Sequence, residues 1–352
     1  MSELGQYSFP KFFSSFKEEY RYVSEGTGLT DRSFIGRLKI QGEDSLDLLN
    51  RLSTNNLESL NLGMGLATVL TTNKGRVVDF LIVVKRSNNL LVLTSEHSIQ
   101  KVMDWIDLYT FIEDVKIVNC TESSVMFHLL GPKSAQSIVN ISKLKDIEIK
   151  KYECVTSYID DIPIEIVRTD AYGVLGYDII TRASNRTFLW DKLIKFGGQF
   201  NIQPIGTNVL EVIRIVNGIP LYGRELGEKF NPHEANLLQY VSFNKGCYIG
   251  QEVIARLNTY KKVQKYLFGI IVESDLIPLN ESKVIIEHEG EIGFVTSASR
   301  SLTDNKTVAL AYINKKHCEP GKKVFINSKN GQLAGILVEL PFMLDAIKSE
   351  LN

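Results

Sequence analysis

Cysteine and histidine are scarce and scattered in this chain of 352 residues. The four cysteines, Cys120, Cys154, Cys247 and Cys318, form no C-x-x-C pair, which argues against a zinc ribbon or a cluster-ligating loop within one segment. The five histidines, His97, His128, His233, His288 and His317, are equally dispersed and read as structural or surface residues, so no metal site is expected. Charge of one sign is lacking as well: a net charge of -1 leaves no footprint for general nucleic-acid binding, and none is expected. No apolar run approaches the roughly 20 residues of a membrane-spanning helix. The N-terminal stretch carries Lys11 and Lys17 but no apolar h-region, unlike a secretory signal. The expectation is a cytoplasmic protein, or an organelle-matrix protein in a eukaryote, without a membrane partner. Nucleotide and hydrolase signatures are missing too. Gly63-Met64-Gly65 lacks the third glycine and the strand-turn-helix context of a dinucleotide site, and neither a phosphate loop nor a G-x-S-x-G elbow occurs.

What is present is ordinary globular material, 44% hydrophobic and 23% charged, in a length sufficient for two or three domains. A helix is expected over Lys11–Tyr22, broken by the run from Ser24 to Gly28. A strand at Arg37–Ile40 leads through Gly42 into a helical spacing from Asp44 to Leu49. Gly63–Leu70, Val77–Val84 and Leu90–Thr94 are strand-like runs divided by Asn73-Lys74-Gly75 and Ser87-Asn88-Asn89, the punctuation of a meander. Helical spacing returns from Ser98 to Thr110, with Val102, Trp105, Ile106 and Tyr109 on one stripe. A strand at Val125–Leu130 and a helix at Ser134–Val139 follow. This irregular mixture points to α+β rather than a doubly wound parallel sheet. From Lys265 onward six short strand-like runs separated by glycines suggest a closed barrel or jelly-roll-like module. The boundary is placed near Asn258 to Lys265, giving domains 1–260 and 261–352.

The octapeptide from Lys245 to Glu252, K-G-C-Y-I-G-Q-E, sets one thiol between two glycines and before a helical run, Glu252 to Leu257. A helix N-terminus and a neighbouring lysine both favour thiolate over thiol, so Cys247 is the candidate reactive residue. The competing reading is a small buried residue in a tight turn.

K-G-C-Y-I-G-Q-E followed by Val253-Ile254-Ala255-Arg256 resembles the signature of the YgfZ-type folate-binding proteins, relatives of the glycine-cleavage T-protein (aminomethyltransferase). Gly28-Leu29-Thr30-Asp31-Arg32-Ser33 resembles the G-L-x-D-x-S motif of the T-protein family. Lys74 to Val83 resembles its G-G-x-x-D-D-L-I-V strand, which carries the catalytic aspartate; Asp79 is kept, and Phe80 stands at the second acidic position. Arg168 to Ile179 resembles R-T-G-Y-T-G-E-x-G-[FY]-E-I, a segment lining the folate pocket, with Val174 in place of the glutamate. Leu210 to Gly223 resembles L-R-L-E-A-G-L-P-L-Y-G, with Arg214 on the arginine and Val216 in place of the glutamate. Phe230 to Leu237, Gly293 to Ser297 and Ala309 to Ile313 resemble further family segments, so the likeness spans almost the whole chain.

The resemblance implies a T-protein-like folate-binding fold of interleaved α+β subdomains with a C-terminal β-barrel module. It implies tetrahydrofolate or a derivative as cofactor, and an accessory role toward iron–sulfur enzymes or assembly proteins as transient partners, with an effect on tRNA modification through a cluster enzyme. The alternative is a folate-dependent aminomethyl- or methyltransferase. Cys247 and Asp79 are the candidate catalytic residues. A pterin needs an aromatic slot, polar edge groups and a cation for its glutamate tail; Tyr172, Tyr177 and Tyr248 are candidates for the first, and Arg168, Arg214, Lys245 and Arg256 for the cationic part. The bland alternatives are core packing for the tyrosines, a turn carboxylate for Asp79 and an i,i+4 pair with Glu252 for Arg256.

Overall fold

The structure, a computed structural model, describes residues 2–4, 7–145, 148–200, 202–301, 306–329 and 331–342. The meander expected from the hairpin punctuation forms an antiparallel five-stranded sheet. Its order is Gly65–Thr71, Val77–Lys85, Leu90–Thr94, Gly36–Gln41, Lys116–Asn119. Gly75 closes the first hairpin in the left-handed region (φ 66°), where a Cβ is disfavoured. Helices Ser45–Leu52 and Ile99–Leu108 cover one face, burying Leu48, Leu49, Val102 and Ile106 against Leu38, Leu81 and Val92.

The opposite face of this meander packs on a six-stranded sheet through Val84, Leu91 and Leu93 against Met126, Val167 and Ile180. The second sheet runs Cys154–Ile159, Ile162–Arg168, Gly176–Arg182, Ser124–Leu130, Thr27–Asp31, Ile202–Pro204, parallel only between the last two. Its outer face carries helices Ser134–Ile141 and Arg186–Phe200, with Ile138 and Leu189 packed on Phe127 and Leu129. Thr27–Asp31 belongs to this sheet although the whole meander follows it in the chain. The two subdomains are therefore interleaved.

The expected N-terminal helix begins later than Lys11. It spans Phe16–Glu25, because Ser15 forms a capping box with Glu18. The preceding segment is tied down by the fully buried Glu19, whose carboxylate accepts from the backbone N–H groups of Phe13, Ser14 and Gly206.

The glycine-punctuated C-terminal runs close into a six-stranded barrel. Lys265–Val272 pairs with both Thr307–Asn314 and Gly331–Val338, and Gly290–Arg300, Lys283–Ile286 and Lys323–Ser328 complete the ring. Residues 343–352 of the second proposed domain lie outside the described residues. Helix Thr207–Val216 joins the parts: Val209 and Ile213 pack on Val23 and Leu130, while Val212 and Ile215 pack on Leu267 and Leu310 of the barrel. Among the described residues no helix is long and apolar enough to cross a membrane.

Candidate functional site

A cavity of about 580 Å3 lies where the meander, the second sheet and the barrel meet, a volume suited to a small organic ligand. Strand alternation sends Phe80, Ile82 and Leu93 into it from the meander. The turn Thr169–Gly173, the loop after helix Thr207–Val216 and the first barrel strand supply the other walls. Phe80 meets Tyr240 edge to face with centroids 4.9 Å apart, and the Tyr152 hydroxyl donates to that of Tyr240 at 3.3 Å. This is an aromatic slot with polar edges.

Asp79 is not part of the cavity lining. The alternation that turns Phe80 inward turns Asp79 toward helix Ile99–Leu108, where it is fully buried. Its carboxylate accepts from the Thr94 hydroxyl, from Ser95 N at 2.9 Å, from Ser95 Oγ at 2.7 Å and from Ser98 Oγ at 2.6 Å. Burial pushes its pKa up, and those donors pull against the shift. Asp79 thus organises the approach to a helix N-terminus, where a carboxylate is favoured, and it meets the cavity through Thr94 and Ser95, which line it.

The candidate ligand-binding residues divide in the same way. Tyr172 lines the cavity, with the Arg32 guanidinium 5.7 Å and the His128 ring 5.8 Å from its ring. Tyr177 is instead core, packed with Ile164 and Ile166. Tyr248 is buried with Val241 and Ile254, its hydroxyl unpartnered among the described residues. Arg168 grips Asp170 with Nε and Nη2, both at 3.2 Å, and holds the cavity-lining turn from behind. Arg256 is exposed on helix Gln251–Tyr260 and makes no ion pair among the described residues.

Arg214 does line the cavity, yet every guanidinium N–H is already committed. Nε and Nη2 hold Glu211 at 3.0 and 2.7 Å, Nη1 holds Ile219 O at 2.7 Å and Glu225 at 3.1 Å, and Nη2 also reaches Ser297 Oγ at 2.7 Å. It is a clamp between helix, loop and barrel, with no donor left for a glutamate tail.

Cys247 is exposed in the loop before helix Gln251–Tyr260. Gly250 caps that helix at φ 84°, and a Cβ there would meet Thr72 O at 2.5 Å, so the glycine is required. Lys245 does not serve the cavity. Its ammonium donates to Asn50 O at 2.7 Å, Asn50 Oδ1 at 2.8 Å, Ser53 O at 3.0 Å and Asn55 O. It satisfies the open carbonyls at the end of helix Ser45–Leu52. Burial pushes this ammonium down to about 8, against the pull of Glu58.

A buried polar array, not singled out in the sequence, stands beside the cavity. Asp178, fully buried, accepts from Arg32 Nη1 at 2.7 and 2.8 Å, from Thr169 Oγ1 at 2.8 Å and from His128 Nδ1 at 2.8 Å. Burial alone would raise the Asp178 carboxyl, but Arg32 and His128 outweigh it and hold the group below the usual carboxylate range. Burial also pushes the His128 imidazole below its ordinary value, against the attraction of Asp178. Its Nε2 is sealed and without a partner among the described residues, so a second proton has no acceptor there. Arg32 and Asp178 both lie in family-like segments of the sequence, Gly28 to Ser33 and Arg168 to Ile179, and nothing in either segment predicted contact.

A pH prediction follows from this array. His128 is neutral when folded but protonates in the unfolded chain below about 6.5, so the unfolded state binds the extra proton and stability falls as pH drops through that value. One proton corresponds to at most about 1.4 kcal/mol per pH unit. Urea unfolding at pH 7.5 and 5.5 is expected to show a smaller loss for His128→Asn than for the parent. His233, also pushed down by burial, accounts for part of what remains. Equal losses in parent and variant would overturn this assignment.

Comparison with known proteins places the chain. The GCVT N-terminal domain matches residues 1–245 and the glycine cleavage T-protein C-terminal barrel domain matches residues 265–343. An aminomethyltransferase of Bacillus mycoides (strain KBAB4) is 31% identical over 97% of this chain and 93% of its own. One from Halalkalibacterium halodurans is 29% identical over the same shares. The crystal structure of glycine cleavage system aminomethyltransferase T from Bartonella henselae superposes with a TM-score of 0.83 at 17% identity, covering 95% of this chain and 94% of that one. The chain belongs to the glycine cleavage T-protein family, and its fold is that family's: interleaved α+β subdomains with a closed C-terminal barrel.

Proposed function

We propose that this protein binds a reduced folate, tetrahydrofolate or a derivative, in the central cavity. The observation that carries the reading is the cavity itself: an aromatic slot formed by Phe80, Tyr240 and Tyr152, walled by the turn Thr169–Gly173. Calorimetric titration with tetrahydrofolate tests it. A saturable heat is expected for the parent and its loss for Ala171→Trp, which fills the space that Ala171 lines. No heat with the parent, or unchanged heat with the variant, defeats the reading.

Two uses of the bound folate compete. The relatives are named aminomethyltransferase at about 30% identity over nearly their whole length, and this favours group transfer. Two observations favour binding without transfer. Phe80 faces the cavity where the family motif has its second acid, and Asp79 stands behind Thr94 and Ser95 of the cavity wall. The thiol of the YgfZ-like octapeptide, Cys247, is exposed on a loop anchored at both ends, by Lys245 and by Ile249 N donating to Arg51 O at 3.0 Å. On this geometry the reading preferred is an accessory protein in cytoplasm or organelle matrix. It would present Cys247 to iron–sulfur enzymes or their assembly proteins, including a cluster enzyme of tRNA modification. Alkylation followed by mass spectrometry is expected to label Cys247 ahead of Cys154 and Cys318, whose thiols burial pushes up to about 12 and about 11. Equal labelling of all three at neutral pH counts against the accessory reading.

A further inference from the structure

With Arg214 saturated, Arg168 behind the turn and Arg256 outside, the cation that the cavity holds ready is Arg32. Its side chain is only 10% exposed, and Nη1 is committed to both oxygens of Asp178. Nε and Nη2 have no partner among the described residues, and Arg32 lines the cavity. A guanidinium divided in this way presents the edge formed by Nε–H and Nη2–H, and two parallel donors of that kind match a carboxylate. The edge is also held in place. Asp178 is itself fixed by His128 and Thr169, and the Tyr172 ring lies against the guanidinium. The other cation of the lining, Lys151, is exposed, with its ammonium 5.3 Å from the Tyr152 ring centroid.

The polarity of the cavity follows from its composition. Phe80, which stands at an acidic position of the resembled motif, lines the cavity, so an acceptor for ligand N–H groups is lost there. Arg32 adds donors. We propose that Arg32 anchors the carboxylate-bearing tail of the cavity's ligand, leaving the ring system to the slot of Phe80 and Tyr240. This assignment rests on the folate reading, since a reduced folate joins a flat head to a glutamate carboxylate.

Paired titrations of the full chain with tetrahydrofolate and with 6-methyltetrahydropterin, the same ring system without any carboxylate, test it. Arg32→Met is expected to weaken tetrahydrofolate by about 10- to 150-fold, the range for one charge-assisted contact, and to leave 6-methyltetrahydropterin within about twofold. Removing Arg32 strands the buried Asp178 carboxylate. The double variant R32M/D178N measured against D178N therefore supplies the same comparison in a background without that charge, and R32K, which keeps charge but not the fork, is expected to fall between. Equal weakening of both compounds, or of neither, overturns the assignment while the folate reading stands. Binding of neither compound by the parent brings down the folate reading itself, and this assignment with it.

Discussion

Arg214→Met is expected to lower the unfolding free energy by about 3–5 kcal/mol, the range for breaking a buried ion pair by removing one partner. The loss is large because Glu225 is fully buried and Arg214 is its cation. What remains to Glu225 is Leu221 N at 3.0 Å and Ser297 Oγ at 2.6 Å, two neutral donors around a buried charge. The guanidinium also ties helix Thr207–Val216 to the Leu221–Leu226 loop and to barrel residue Ser297, so the subdomains and the barrel loosen from one another together. Urea titration followed by intrinsic fluorescence is the measurement. Arg214→Lys is expected to recover only part of the loss, since one ammonium cannot reproduce two forked contacts. A change below about 1 kcal/mol would show that the clamp is incidental, and would return Arg214 to the list of ligand-binding candidates.

The second large effect concerns turnover. In a reconstituted glycine-cleavage assay this protein is expected to show no tetrahydrofolate-dependent cleavage above background. General acid–base groups typically contribute about 10²–10⁴-fold, and the carboxylate nearest the matching strand position, Asp79, is fully buried under four hydrogen bonds behind Thr94 and Ser95 of the cavity wall. Cells lacking the protein are expected to lose activity of some iron–sulfur enzymes, most visibly under oxidative stress, and Cys247→Ala is expected not to restore it. That variant is expected to fold with a stability within about 0.5 kcal/mol of the parent, as is usual for exposed sites. Robust cleavage by the parent, indifferent to Cys247→Ala, would make the aminomethyltransferase the better reading, in line with the relatives' names.

Local chemistry in the sequence determined the meander, the barrel strands and most helices of this protein. Gly75 between two apolar runs specifies a hairpin, and the apolar stripe of Val102 and Ile106 specifies a helix and its buried face, because these signals act over a few residues. The hairpin Cys154–Ile159 with Ile162–Arg168 and the helix Arg186–Phe200 had no such signal. Their residues are half-polar; the two strands form one edge of the second sheet and the helix packs on its outer face. The family segments and the Cys247 octapeptide were likewise legible, since they are strings of residue types. What the side chains do was decided by tertiary structure. The pleat sets Asp79 and Phe80, paired in regular register with Leu70 and Val69, on opposite faces. Arg214 met partners from three elements, and Arg32 met Asp178 across 146 positions of chain. Which donors remain free for a ligand depends on hydrogen bonds between residues distant in sequence, and those distances close only when the sheets and the barrel pack.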